Sequence, residues 1–530
     1  MKLLRPIFAV LLATSISLAQ SSAPGGGPDT DTTNITDQIK SLQSAIAAQQ
    51  KQIEQLQHEL ELKKNPAPHV VNATLSTAGS SNTPVAQGDA EKQKESPLSF
   101  RIGGAEFTPG GFMDLTGIFR STNVGSLGTN FFSIPYSNTA QGQLSETRFT
   151  AQNSRLAMKV TSKYRGNDVT GYLEMDFLGN DPGNAFVTSN SHTNRMRLYW
   201  ADLRHGNWEI LGGQSWSWMT PNRVGLSPMP ADVFFSQNMD FNYQVGLTWT
   251  RAPQFRVAYH PNKNWAFGVA LENPQQFIGQ ANQVVLPTGL AGQLGSQLDA
   301  AGNLNTPNLH PDVISKVAYD NDFGGKHFHA EGGGVLTSVK VTTQSAAGQP
   351  FVDQTKTGGG VMAAMNVELI KNFRILANAV YSDGGGRYIF GMGPAAVIRP
   401  DGTPSLVHSG SGIGGFEYQV TPQTMIYGYY GGAYYQRNFF PDTTSTAAVS
   451  PLIGFGFPGG SATNNLAANR AVQEGTIGWI QTFWKNPQYG AFQLITQASY
   501  LTRSPWFVPA NQPKNAHLGM GWVDLRYTLP

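Results

Sequence analysis

The sequence predicts an all-β fold: a transmembrane, antiparallel, up-and-down β-barrel of about sixteen strands, preceded by a short N-terminal coiled-coil helix. From residue 112 onward, runs of roughly ten residues alternate apolar and polar side chains. Short turns between these runs alternate with long polar loops. Only 13% of the residues are charged, against about 25% in soluble globular proteins. Strands with one apolar and one polar face, joined in this rhythm, indicate lipid outside the barrel and water inside it.

The composition excludes several classes of protein. Apolar residues make up 40% of the chain and the net charge is +2, which is too small to favour nucleic acid. No apolar stretch reaches the roughly eighteen residues of a membrane-spanning helix. Cysteine is absent, which excludes disulfides, thiolate metal sites and cysteine nucleophiles. We expect no cofactor.

Residues 1–19 have the features of a secretory signal peptide. Lys2 and Arg5 give a positive start, and Ile7 to Leu18 form a short apolar core. Ser17-Leu18-Ala19 fits the small-x-small cleavage pattern, so we expect cleavage before Gln20. The chain is therefore predicted to leave the cytoplasm.

Residues 20–64 are predicted to form an oligomerisation helix in the periplasm. Apolar residues at alternating spacings of four and three form a heptad seam, which needs partner helices to be covered. The alternative is one amphipathic helix lying on its own domain or on a membrane. The heptads do not decide between two and three chains. The seam consists of Ile35, Ile39, Leu42, Ile46, Gln49, Ile53, Leu56 and Leu60.

Residues 65–97, rich in Pro, Ser and Ala, are predicted to be a flexible linker, and residues 98–530 the barrel. Seven short turns predict sixteen strands when both termini lie on one side. The segment Tyr243 to Thr250 also alternates, so eighteen strands stay open. The turns are Arg165 to Asp168, His205 to Asn207, Pro261 to Asn264, Asn321 to Gly325, Lys371-Asn372, Thr421 to Gln423 and Asn486 to Gln488.

Aromatic residues near the ends of the runs are predicted to form girdles at the two membrane interfaces. The last strand shows the two faces well, because Val523 and Leu525 alternate with Asp524 and Arg526. The predicted girdle residues are Tyr199, Trp200, Trp208, Trp249, Trp265, Tyr427, Tyr429, Tyr430, Trp479 and Trp484.

Three segments resemble the DcaP-like outer-membrane porins: Arg195 to Tyr199, Leu211 to Ser217 and Gly384 to Ile389. The order of signal, helix, linker and barrel is also similar. The chain ends in Leu529-Pro530, which departs from that family. The resemblance implies a homotrimer of sixteen-stranded barrels with a periplasmic coiled coil. It also implies passive uptake of small solutes that are often anionic.

A barrel of this size encloses a water channel, and the polar faces of its strands supply the pore lining. Arg195 and Arg197 lie two apart on one strand, which favours a mild preference for anions, including carboxylates. The alternative is that these charges only solvate the wall. The predicted lining residues are Arg155, Lys159, Glu174, Asp176, Arg195, Arg197, Arg256, Lys316 and Arg374.

The loop after the fifth strand, about Met219 to Asn242, is the third long one and is predicted to fold inward and narrow the pore. Its charged residues are Arg223, Asp232 and Asp240. The alternative is an ordinary surface loop. This position is carried over from general porins.

Other functions find less support in the sequence. His327, His329 and Glu331 share one strand face, but neighbours on a face lie almost 7 Å apart, so we expect polar lining rather than a metal site. The common hydrolase, zinc-protease and phosphate-loop motifs are absent, and we expect no enzyme. A hydrolase assembled on the barrel wall would show in an esterase assay.

The expected protein is an outer-membrane porin for passive diffusion of small hydrophilic solutes, with outer-membrane lipids as its surroundings. The alternative is a trimeric surface or adhesin-like structural protein, which calls for a longer coiled coil. An energised transporter calls for a folded plug before the barrel, where this chain has only a helix and a linker.

Overall fold

The computed structural model describes residues 96–530 except 127, 129–133, 180–190, 235, 240–241, 280–282, 301–305, 391–392, 460–467 and 509. The predicted signal peptide, the coiled-coil seam and nearly all of the linker lie outside the described residues. They therefore stay predictions. Within the described ranges, no helix is long and apolar enough to cross a membrane.

One antiparallel sheet contains most of the strands. Their bounds are β1 Phe100–Ile102, β2 Ala105–Arg120, β3 Glu146–Thr150, β4 Arg155–Tyr164, β5 Asn167–Asp176, β6 Arg195–His205, β7 Trp208–Trp216, β8 Arg251–Tyr259, β9 Trp265–Glu272, β10 Asp312–Asp322, β11 His327–Gln344, β12 Phe351–Ile370, β13 Phe373–Asp383, β16 His408–Thr421, β17 Thr424–Tyr435, β20 Asn469–Asn486, β21 Gly490–Pro505 and β22 Ala516–Thr528.

In the described part of the chain, four shorter strands and one short α-helix belong to the long loops. They are β14 Ala396–Ile398, β15 Pro404–Leu406, β18 Asn438–Pro441, β19 Leu452–Phe455 and α1 Ala291–Leu294.

The sheet closes into a sixteen-stranded barrel, as predicted. β22 pairs with β2, with Thr528 opposite Phe112, and the short β1 pairs with the other end of β2. On its second side β2 pairs with β4 and then with β3, so these two segments form one interrupted strand. The eighteen-stranded alternative is wrong, because Tyr243 to Thr250 form no strand.

The seven predicted short turns all join consecutive barrel strands at one end of the barrel. Long loops join the strands at the other end. In outer-membrane barrels the short turns are periplasmic and the long loops extracellular. The loop between β7 and β8, residues 217–250, is the third long one and is called L3 below.

The two faces of the strands differ as the alternation predicts. Leu156, Ile477 and Val523 face outward and are 45–59% exposed, whereas the inward-facing Glu474 and Asp524 are 0% exposed. An apolar outer surface of this kind suits the lipid hydrocarbon. The protein is thus an integral β-barrel of the outer-membrane type.

The aromatic girdle is only partly where it was predicted. Six of the ten side chains are 37–62% exposed on the outer face: Tyr199, Trp208, Trp265, Tyr430, Trp479 and Trp484. The prediction is wrong for Trp200, Tyr427 and Tyr429, which are buried inside, and for Trp249, which belongs to L3. For Trp200 the reason is a register shift opposite Glu174 and Met175. That bulge reverses the alternation of β6.

Candidate channel and its constriction loop

L3 folds into the barrel instead of lying on its surface. Its apolar side chains Phe234 and Leu247 are each 1% exposed and pack against Leu376 and Ile413 of the barrel wall. The loop is longer than the predicted Met219 to Asn242 segment, because it runs from the end of β7 to the start of β8. Its polar groups bond to the wall at two places, called the first and second anchor below.

The first anchor is centred on Arg223. Its guanidinium donates two hydrogen bonds to the Glu417 carboxylate of β16, at 2.6 and 2.9 Å, and Tyr429 donates a third at 2.7 Å. Burial alone would lower the pKa of Arg223, but the Glu417 carboxylate raises it above its ordinary value. The residue is therefore charged and held in a fixed position.

Lys316 extends the first anchor. Its ammonium donates to the Thr220 carbonyl at 3.0 Å and to the Asn222 side chain at 2.9 Å, and lies 2.9 Å from Glu331. Glu331 in turn accepts the backbone N–H of Asn222 at 3.0 Å. Lys316 was predicted to line the pore, yet L3 covers it, and it is 3% exposed.

The histidines of β11 also belong to this anchor. His329 Nδ1 lies 2.8 Å from Asp320, and its Nε2 lies 3.3 Å from Glu331. Both ring nitrogens are thus occupied by carboxylates of the wall. Asp320 also accepts the backbone N–H of Gly225 at 3.0 Å. Among the described residues, no group of three acidic, cysteine or histidine side chains could hold a metal ion.

The second anchor is centred on Glu474 of β20. Its carboxylate accepts the backbone N–H of Val245 and the side-chain amide of Asn242, both at 2.9 Å. Gly431 of β17 permits this close approach. A Cβ at Gly431 would overlap the Val245 carbonyl oxygen. L3 therefore lies directly against the backbone of β17, where any side chain would displace it.

A charged network lies on the other side of the lumen, on β4, β5 and β6. Arg195 holds Asp176 with two hydrogen bonds, at 3.0 and 2.6 Å. Arg197 bonds to Glu174 at 2.5 Å and to Asp176 at 2.8 Å. Arg155 lies 3.9 Å from Glu174. The structure thus brings together five of the residues predicted to line the pore.

Arg251 joins this network, although it was not among the predicted lining residues. Strict alternation along β8 places Arg256 inward and Arg251 outward. In the structure Arg251 lies over the Trp216 ring, at 5.3 Å, within electrostatic range of Arg195 and Arg197. Trp216 pairs with Arg251 across β7 and β8, and Gly213, with φ +134°, lies three residues before Trp216. Consecutive glycines late in a strand are the signal that could have suggested it.

The other predicted residues occupy different surroundings. Lys159 lies on the inner face of β4 and is partly exposed. Arg256 is 2% exposed beneath Trp218, and Arg374 is 7% exposed. Asp232 is half-buried in L3, and Asp240 lies outside the described residues. Lys159 and Arg195, whose side chain is 33% exposed, keep contact with water.

L3 covers one side of the inner wall and leaves residues of the other side in contact with water. The loop covers the wall from β9 to β21, where Glu417, Glu474 and Lys316 are at most 3% exposed. On the other side lie five basic residues and three carboxylates: Arg155, Lys159, Arg195, Arg197 and Arg251, with Glu174, Asp176 and Asp232. This side therefore carries a local excess of positive charge.

No protein-family model matches the chain, and no curated protein sequence matches it. Among solved structures, the outer-membrane channel DcaP of Acinetobacter baumannii has 17% sequence identity and a TM-score of 0.56, covering 80% of this chain and 98% of its own. An anion-selective porin from Comamonas acidovorans has 10% identity and a TM-score of 0.45, covering 80% of this chain and 100% of its own. OprB of Pseudomonas putida has 12% identity and a TM-score of 0.44, covering 79% of this chain and 94% of its own. This chain is therefore similar in fold to the DcaP channel.

Proposed function

We propose that the protein is an outer-membrane porin, a passive water-filled channel for small hydrophilic solutes, without enzymatic activity. The observation that carries the proposal is the position of L3. The loop is fixed across the lumen by buried ionic and hydrogen bonds, and it leaves Lys159 and Arg195 in contact with water beside it. A barrel of this size is too wide for side chains alone to fill.

We further propose a mild preference for anions, with carboxylates among them. Arg155, Arg195, Arg197 and Arg251 outnumber Glu174 and Asp176 on the exposed side of the lumen. Guanidinium groups match carboxylates in geometry as well as charge. The anion selectivity printed for the Comamonas acidovorans porin belongs to that protein and carries no argument at its TM-score of 0.45.

The reversal potential of the purified protein in a planar bilayer under a salt gradient tests this preference. The wild type is expected to favour anions, and the variant K159Q/R195Q is expected to move toward cations. The matched control is K163Q, because Lys163 lies at the periplasmic end with its side chain 87% exposed and is expected to leave the potential unchanged. A cation-selective wild type would contradict the anion preference, and a protein without conductance would contradict the channel.

The homotrimer is also a proposal: the heptad seam from Ile35 to Leu60 favours self-association, and the resemblance to the DcaP-like porins favours three chains. The test is the mass of the detergent-solubilised protein, with and without residues 20–64. We expect a trimer for the full chain and a weaker assembly without the seam. A monomeric full chain at micromolar concentration would contradict it.

A further inference from the structure

Two exposed arginines share one tryptophan on the outer rim of the barrel, at its extracellular end. Arg437 follows β17, Arg470 lies in β20 and Trp506 follows β21. The guanidinium carbons lie 5.3 and 5.9 Å from the centre of the Trp506 ring. Cation–π contacts of this kind hold a guanidinium over a ring face. Two positive charges are therefore kept close together on one platform.

The Trp506 platform is fixed by its surroundings. The indole N–H donates to the Tyr435 carbonyl at 2.8 Å, and the Tyr434 ring meets the indole edge-on at 6.0 Å. Gly456, with φ +72°, lies against the ring, and a Cβ there would overlap it. The tryptophan thus has a defined orientation, and so have the arginines that lie over it.

Neither arginine has a carboxylate within ion-pair distance among the described residues. This differs from the lumen, where Arg195, Arg197 and Arg223 each bind a carboxylate. Two like charges on one ring repel each other, and an anion between them would relieve that repulsion. Arginine presents a planar fork of N–H donors, which suits phosphate oxygens.

The position of Arg437 and Arg470 indicates which kind of molecule would carry the anion. Tyr434 and Tyr500, which are 45% and 55% exposed, mark the outer face just below it. Farther down the same face lie Tyr430 of β17 and Ile477 of β20. Tyr430 is paired with Gly475, two residues before Ile477. An acyl chain can lie along this apolar strip, while a head group reaches the arginines.

We propose that Arg437, Arg470 and Trp506 form a binding site for a phosphorylated lipid head group of the outer leaflet. The guanidinium groups would bind the phosphate, and the apolar strip would contact the acyl chains. Basic clusters at a membrane surface bind anionic lipids in this way. Free inorganic phosphate has the charge but lacks the apolar part, so it is expected to bind far more weakly.

The test is native mass spectrometry of the full-length protein in detergent, titrated with diphosphorylated lipid A. The variant R437Q/R470Q is expected to lose about thirtyfold in affinity, and each single variant about fivefold. The matched control is R399Q, because Arg399 is an exposed loop arginine that lies 4.9 Å over the Phe440 ring. It is expected to bind as the wild type does. Inorganic phosphate at millimolar concentration is expected not to displace the lipid.

Circular dichroism and channel conductance check that each variant has folded. We expect normal folding, because the side chains of Arg437 and Arg470 are exposed. If folded R437Q/R470Q binds lipid A with wild-type affinity, the proposal is wrong. It is equally wrong if inorganic phosphate displaces the lipid completely, since the site would then recognise only the anion. Neither outcome depends on whether the channel prefers anions.

Discussion

At the residue scale, the buried pair of Arg223 and Glu417 does most to hold L3 in the lumen. The pair is bidentate and both side chains are at most 4% exposed. Removing one partner of a buried ion pair leaves the other charge uncompensated. For this reason the structural effect of the pair is expected to be large, although replacing both partners together would disturb the loop less.

The variant E417Q is expected to destabilise the folded protein by about 3–5 kcal/mol. The loss should show as a lower midpoint of thermal unfolding in detergent. The double variant R223Q/E417Q should recover part of it, since no unpaired charge remains. The matched control is E106Q, whose partner Arg101 is 65% exposed, and a pair of that kind contributes at most about 1 kcal/mol. Equal effects of E417Q and E106Q would contradict a structural role for Arg223.

Asp232 is predicted to make the channel sensitive to pH. Burial raises the pKa of its carboxyl, while Ser227 and Lys159 act in the opposite direction. Because its folded pKa lies above the unfolded value, ionised Asp232 destabilises the folded loop, and that penalty disappears as the pH falls through the folded pKa. The negative charge beside Lys159 is therefore lost at a higher pH than for an ordinary aspartate.

Anion preference should accordingly increase on acidification, and part of this increase should be absent in D232N. At neutral pH, D232N should already be more anion-selective than the wild type. Reversal potentials at neutral pH and near the ordinary aspartate pKa, about 4, measure both effects. An identical pH response in D232N and the wild type would show that Asp232 does not face the passage.

At the element scale, L3 depends on glycines of the wall against which it lies. The variant G431V is expected to push the loop away from β17 and into the passage, since even a Cβ overlaps the Val245 carbonyl. Single-channel conductance should fall. At Gly414 an added Cβ meets no atom within 4 Å, so conductance of G414V should be unchanged. A normal conductance of folded G431V would mean that L3 does not narrow the channel.

Alternation along the strands predicted much of the barrel but little of L3. The strand count, the seven turns and the inward positions of Arg195 and Glu174 follow from period two, because one face must meet lipid. The bulge in β6 reverses that period locally, so Trp200 was assigned to the wrong face. Such a bulge is not visible without the neighbouring strand.

The anchors of L3 could not be predicted either. Arg223 and Glu417 are 194 residues apart in the sequence, and no local pattern relates them. Lys316 and Arg374 were predicted to line the pore from their strand face alone. Strand face decides whether a side chain points into the lumen, but not whether a loop then covers it.

At the scale of the whole molecule, L3 divides the lumen into a side that it covers and a side that stays in contact with water. Its anchors lie on β10, β11, β16 and β20, and the network around Arg195 borders the opposite side. Solutes are therefore expected to pass along β4, β5 and β6. The excess of arginines on these strands can set the ion preference only if solutes pass along them.

Thiol labelling during conductance recording tests that route most directly, because the chain has no cysteine of its own. With a bulky, water-soluble thiol reagent, K159C is expected to react and its conductance to fall. S499C, whose position is 5% exposed behind L3, is expected to be unaffected. The lipid-facing L156C serves as a control that does not alter conductance. Block of S499C together with an unaffected K159C would contradict the account, because the passage would then run along the wall that L3 is said to cover.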